Sequence, residues 1–148
     1  MSNIQAQDRS EATDIQRNPE NRESALDGVH AALDAAYGKK ALEPVLLEVG
    51  AMCSYAEFVL MVSGRSDRQV DAIADAVIDA MKERGTRPLG VEGRGSGQWV
   101  LVDFGDIVVH VFHHPLRQHY DLESLWIDAP RIELEIPEDA RAPADEYY

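Results

Sequence analysis

The sequence predicts an α/β domain: a single mixed β-sheet of about five strands packed with helices. Three observations carry this. Two β-branched runs flank Gly105-Asp106, a pair suited to a tight antiparallel hairpin. Residues 66–85 carry an amphipathic helix with both ends marked. The remaining apolar runs give the order helix, strand, strand, helix, strand, strand, strand, helix.

Residues 1 to about 22 are polar and contain Pro19, so 1–23 reads as a disordered lead before a domain over 24–130. Ser24, with Asp27 three residues on, is a weak form of the helix-start box, and Leu26, Val29, Ala32, Leu33 and Ala36 form one apolar stripe up to Gly38. Val45 to Val49 and Phe58 to Ser63 are short β-rich runs, joined by a segment that holds Cys53 and Tyr55. Ser66 with Gln69 matches a capping box and Gly85 supplies a stop. Between them Val70, Ile73, Ala74, Val77, Ile78 and Met81 share a face that should lie on the sheet. A second row, Asp67, Asp71, Asp75 and Asp79, reads as a solvated helix face.

Pro88 to Glu92 is a further short strand, and Gly93 to Gly97 reads as a mobile connection. It resembles a phosphate loop only in composition, because a strand rather than a helix follows it and no P-loop lysine is present. Pro115 to Trp126 reads as one helix, with Leu116, Tyr120, Leu125 and Trp126 as candidates for burial. The acidic tail 131–148, with Pro137 and Pro143, is expected to be largely unstructured, although 131–136 alternates well enough for an extra strand.

With Gly105 and Asp106 as the turn, side chains alternate between faces with period two. Val100, Val102, Phe104, Ile107, Val109 and Val111 fall on a wholly apolar face, expected in the core. The other face carries Trp99, Leu101, Asp103, Val108, His110 and Phe112, with Trp99 across from Phe112 and Leu101 across from His110. That mixture suits either a second core layer or a protein-binding surface around an aromatic anchor.

A chain of 148 residues with a 45% hydrophobic fraction supports one domain with a real core. Its formal net charge of -13 repels a phosphate backbone and favours a basic protein partner over direct nucleic-acid binding. Cys53 is the single cysteine, which excludes an intrachain disulfide and a multi-cysteine metal site; it reads as a small core residue. No stretch has the form of a signal peptide or a membrane span, so the expectation is a soluble cytoplasmic protein.

The chemistry-bearing residues do not assemble into a catalytic pattern. Asp103 and His110 are diagonal neighbours, a pairing that fits a structural hydrogen bond better than a general base, since Gly95-Ser96-Gly97 lacks the spacing of a nucleophile elbow. His113, His114 and His119 have no ligand partners at metal-site spacing. A metal-dependent nucleotidyl transfer at Asp103 and Asp106 is the alternative enzymatic reading, and a homo-oligomeric scaffold is another.

Several ordered segments resemble the bacterial ribosomal silencing factors, the Iojap-related family. They are Ser63-Gly64-Arg65-Ser66-Asp67-Arg68-Gln69-Val70 with Ala72-Ile73-Ala74-Asp75, then Gly90-Val91-Glu92-Gly93, then Trp99 through Phe112, and finally Tyr120, Leu122-Glu123 and Leu125-Trp126. Glu57 and Phe58 depart from the family's usual Asp-Tyr, and Phe104 replaces a frequent tyrosine. The resemblance implies a sandwich similar to nucleotidyltransferases but without their activity, so no catalysis and no cofactor. It implies binding to ribosomal protein fourteen of the large subunit, a steric block on small-subunit joining, and lowered translation when nutrients are scarce. Family members are often dimeric when free. The partner-binding set carried over is Trp99, Leu101, Asp103, Phe104, Asp106, Val108, His110 and Phe112, with Trp99 as the anchor and the two aspartates facing basic side chains.

Overall fold

The computed structural model describes residues 19–141. The expected N-terminal lead through residue 18, and the tail beyond residue 141, lie outside the described residues. Helix α1 (Pro19–Gly38) is followed by strands β1 (Leu42–Glu48) and β2 (Phe58–Gly64) and helix α2 (Asp67–Glu83). Then come β3 (Gly90–Glu92), β4 (Trp99–Asp103), β5 (Ile107–His113), the short helices α3 (His114–Tyr120) and α4 (Leu122–Leu125), β6 (Arg131–Ile132) and a 3-10 turn at Glu138–Ala140. The strands form one six-stranded sheet in the order β3-β4-β5-β2-β1-β6. It is mixed: β5 and β2 run parallel and the other pairs are antiparallel. The predicted fold class therefore holds, with β6 as the sixth strand.

The hairpin register agrees with the alternation argument. Trp99 pairs with Phe112, Leu101 with His110 and Asp103 with Val108. Val100, Val102, Phe104, Ile107, Val109 and Val111 are all buried beneath α1 and α2, in one core with Leu60 and Val62 of β2 and Ile73 and Val77 of α2. β2 and β5 are buried along nearly their whole length because the sheet is covered on both sides at its centre.

Helix α2 has the ends its sequence announces. Ser66 Oγ accepts from the Gln69 N–H at 3.2 Å. Gly85, at φ 85°, closes the helix in a Schellman arrangement, with Gly85 N donating to the Lys82 carbonyl and Thr86 N to that of Met81. Gln69 adds a tie between elements, since its Nε2 donates to the carbonyls of Lys39 and Lys40 just after α1. Helix α1 begins at Pro19 rather than Ser24. Proline with fixed φ and no N–H suits the first turn of a helix, and Glu20 complements its positive end.

Three expectations need correction. The aspartate row and the glycine-rich loop are partners: Asp71 Oδ1 accepts from Gly95 N at 3.1 Å, and Asp75 Oδ1 pairs with the Arg94 guanidinium at 2.6 Å. The loop is thus moored to α2. The segment 115–126 breaks into two helices because Asp121 adopts a left-handed conformation, φ 46°. Tyr120 and Leu125 are exposed, while His114 and Arg117 are buried. The tail is ordered through residue 141, where β6 pairs with Leu46 and Leu47 of β1 and Ala140 is buried.

The glycine-rich loop yields a stability prediction. Gly93 sits at φ +82°, and a Cβ there would lie 2.0 Å from the Trp99 carbonyl oxygen. Gly93→Ala must therefore displace the start of β4 as well as strain its own backbone, and should cost roughly 2–3 kcal/mol, read as a lowered urea midpoint. Gly95→Ala has open space around its Cβ position and should cost less.

Candidate functional site

The sheet face away from α1 and α2 is only partly covered. Residues 49–56 lie over one part of it and α3 with α4 over another, forming a smaller core of Leu47, Val49, Val59, Met61, Val108 and Phe112 among others. Between these covers is a cavity of about 200 Å³. Leu101, Asp103, Val108 and His110 line its hairpin side; Cys53, Tyr55 and Ala56 form one wall, and Leu122, Leu125 and Trp126 another. Four of the eight residues expected to contact a partner therefore meet in one groove.

Trp99 adjoins this groove through its bond to His110 and is half-buried. Its ring stacks on Phe112 at 5.2 Å and lies 4.7 Å from Tyr120. Its Nε1–H donates to His110 Nδ1 at 3.1 Å, which leaves the other ring nitrogen, Nε2, to carry the proton of the neutral imidazole. Burial pushes the His110 pKa down to about 4, so the ring is neutral near pH 7. Asp103 is not hydrogen-bonded to His110: its Oδ1 accepts from the Gly105 N–H at 2.8 Å and fixes the hairpin turn. The expected Asp103–His110 bond is therefore replaced by Trp99–His110: both residues are diagonal neighbours of His110, but the long indole reaches Nδ1 while the carboxylate is drawn to the turn.

The other expected contacts divide by position. Asp106 is exposed on the turn. Phe112 is wholly buried beneath Trp99, and Phe104 is packed into the core under the helices, on the opposite face from Trp99. Burial therefore keeps both out of the accessible surface. Phe112 supports the anchor from below, and Phe104 fixes the hairpin to the helices. Residues that sequence reasoning did not place at the site are the exposed Tyr55 and Leu125. Tyr55, 64% exposed, and Leu125, 69% exposed, also line the groove. Both leave large apolar surface in water at the rim of the groove.

The α4 wall rests on a buried cation. Arg117 donates to the Glu43 carbonyl and to Ser63 Oγ, and pairs with Glu123 on α4 at 3.2 Å. Burial pushes its pKa down while Glu123 opposes that shift. Of the three histidines considered for a metal site, His113 lies 3.6 Å from Asp67 and within hydrogen-bond distance of the Arg65 carbonyl, and His114 is buried. No group of three metal-ligating side chains comes together among the described residues. No helix among them is long and apolar enough to cross a membrane.

The neutral buried His110 makes stability depend on pH. The native state resists protonation down to about pH 4, whereas the unfolded chain takes up a proton near pH 6.5. The stabilisation is fully present above pH 6.5 and is lost progressively as pH falls from there toward 4, a window corresponding to about 3 kcal/mol. Chemical unfolding at intervals across this range should show the loss, and His110→Gln should flatten that part of the profile.

The fold is thus an α/β sheet with one face sealed by helices and the other partly covered, with a groove rimmed by apolar side chains. A family profile described as "Ribosomal silencing factor during starvation" matches residues 22–147. A ribosomal silencing factor of Bacillus subtilis is 41% identical over 115 residues, covering 78% of this chain and 95% of that protein. One from Halalkalibacterium halodurans is 43% identical over 104 residues, covering 70% and 89%. The maize chloroplastic protein Iojap is 31% identical over 100 residues, 68% of this chain and 43% of its own length. The fold agrees: a crystal structure of a Chromobacterium violaceum protein superposes with a TM-score of 0.68 at 34% identity, covering 76% of this chain and 92% of that one. The chain belongs to the ribosomal silencing factor family, which consists of regulators rather than enzymes.

Proposed function

We propose that this protein binds the large ribosomal subunit at ribosomal protein fourteen and, by occupying that surface, blocks joining of the small subunit and lowers translation when nutrients are scarce. Family membership supports the ribosome as target, and the observation that carries the docking mode is the groove beside Trp99. Trp99 is the anchor. Leu101, Val108 and His110 form the floor against which an apolar partner side chain packs. Asp103 and Asp106 sit at the hairpin end, where carboxylates complement a basic ribosomal protein; the turn uses Asp103 Oδ1 and leaves Oδ2 for a cation. An acidic surface also accelerates encounter with such a partner and disfavours direct contact with RNA. The site of action is the cytoplasm, where subunits join.

Immobilised protein should retain purified large subunits and isolated ribosomal protein fourteen. Retention of neither, or of small subunits instead, would reject the reading. Adding salt should weaken capture through the aspartates more than through the aromatic anchor.

A further inference from the structure

The α4 wall of the groove is held in an unusual way. The helix has four residues, none of them fully buried; Leu122 and the adjoining Trp126 pack on the smaller core only as partly buried side chains, so propensity and packing hold it weakly. Trp126, at its end, lines the groove on one side and a second cavity of about 230 Å³ on the other. Space therefore lies on both sides of this wall. Charge adds a specific tie. Glu123 Oε1 lies 3.2 Å from the buried Arg117, and its Oε2 lies 3.3 Å from Arg131 of β6. Arg117 is itself anchored to the Glu43 carbonyl of β1 and to Ser63 of β2. One carboxylate thus couples α4 to three strands.

We infer that Glu123, with Arg117 as its buried anchor, is a positioning residue: this clasp sets α4 as a movable wall of the groove and thereby tunes how tightly the groove holds its protein partner. The inference rests on reading the groove as the docking face. The clasp sits behind the wall, so it acts through Leu122, Leu125 and Trp126. Releasing it lets the wall swing toward the second cavity, and the partner must then re-order the wall as it binds. Affinity falls although no contact to the partner is removed.

Glu123→Gln in the intact chain is the test, because glutamine keeps the shape and removes the charge from a partly exposed position. Three quantities are read: amide exchange across 121–127, the thermal midpoint, and affinity for purified large subunits. Exchange in 121–127 should accelerate about tenfold while amides of β2 and β5 do not change, and affinity should fall roughly five- to tenfold at a thermal midpoint within about 2 °C of the parent. Unchanged exchange, with or without altered affinity, overturns the clasp; weakened binding in that case would make Glu123 a direct contact. Faster exchange with unchanged affinity overturns the positioning role. Failure of the unsubstituted chain to bind large subunits would sink the ribosomal reading instead, and the exchange arm would still decide whether the clasp holds α4.

Discussion

Trp99→Ala should weaken binding to the large subunit by about 2 kcal/mol or more, roughly thirtyfold, while the protein stays folded. The indole is the one large aromatic of the hairpin that is both accessible and braced. Phe112 lies beneath it at 5.2 Å and Tyr120 beside it at 4.7 Å, and its Nε1–H is held by His110. Such bracing limits the rotamer entropy lost on binding, which is the property of an interface anchor. The substitution also leaves His110 Nδ1 without its donor, so a stability loss of about 1–2 kcal/mol should accompany it. Trp99→Phe separates the two effects. It retains an aromatic ring and should keep most of the affinity while showing the stability loss from the missing donor. Sedimentation of each variant with large subunits, alongside thermal unfolding, checks both.

Phe112→Ala should be the more damaging change to the molecule. Phe112 is fully buried, faces the core layer formed with Met61 and Val59, and carries Trp99 on its ring. Removing it opens a cavity in that layer at a cost of about 3–5 kcal/mol, a fall in the thermal midpoint of roughly 10–20 °C. Binding should then fail because the anchor loses its floor, even under conditions where the variant remains folded. Phe104→Ala gives the contrast. Phe104 lies on the helix-covered face, so it should destabilise without a separate binding defect once the folded fraction is taken into account.

The contrast between these phenylalanines was legible in the sequence, because strict alternation about Gly105-Asp106 places them on opposite faces. The hairpin register, the capped α2 helix and the family resemblance were legible for the same reason: each depends on local patterns that tertiary structure leaves intact. The groove was legible only on its hairpin side. Tyr55 and Leu125 reach it from segments remote in sequence, and nothing local marks their destination. The break at Asp121 was hidden because a non-glycine residue takes the left-handed conformation there. Nothing local marks Arg117 for burial, because its acceptors, the Glu43 carbonyl and Ser63 Oγ, are brought to it by the sheet. The mooring of the Gly93–Gly97 loop was not legible because two features, each bland alone, meet only in three dimensions. The ordered tail was masked by its acidic, proline-containing composition, although the alternation in 131–136 signalled the pairing of Arg131 and Ile132 with β1.

The central claim is that this docking face keeps ribosomal subunits apart. Purified large subunits, incubated first with excess protein and then with small subunits, can be resolved on a density gradient. The account predicts protein comigrating with the large subunit, a reduced peak of joined ribosomes, and restoration of that peak with Trp99→Ala. Joining undiminished by the bound parent protein would contradict it.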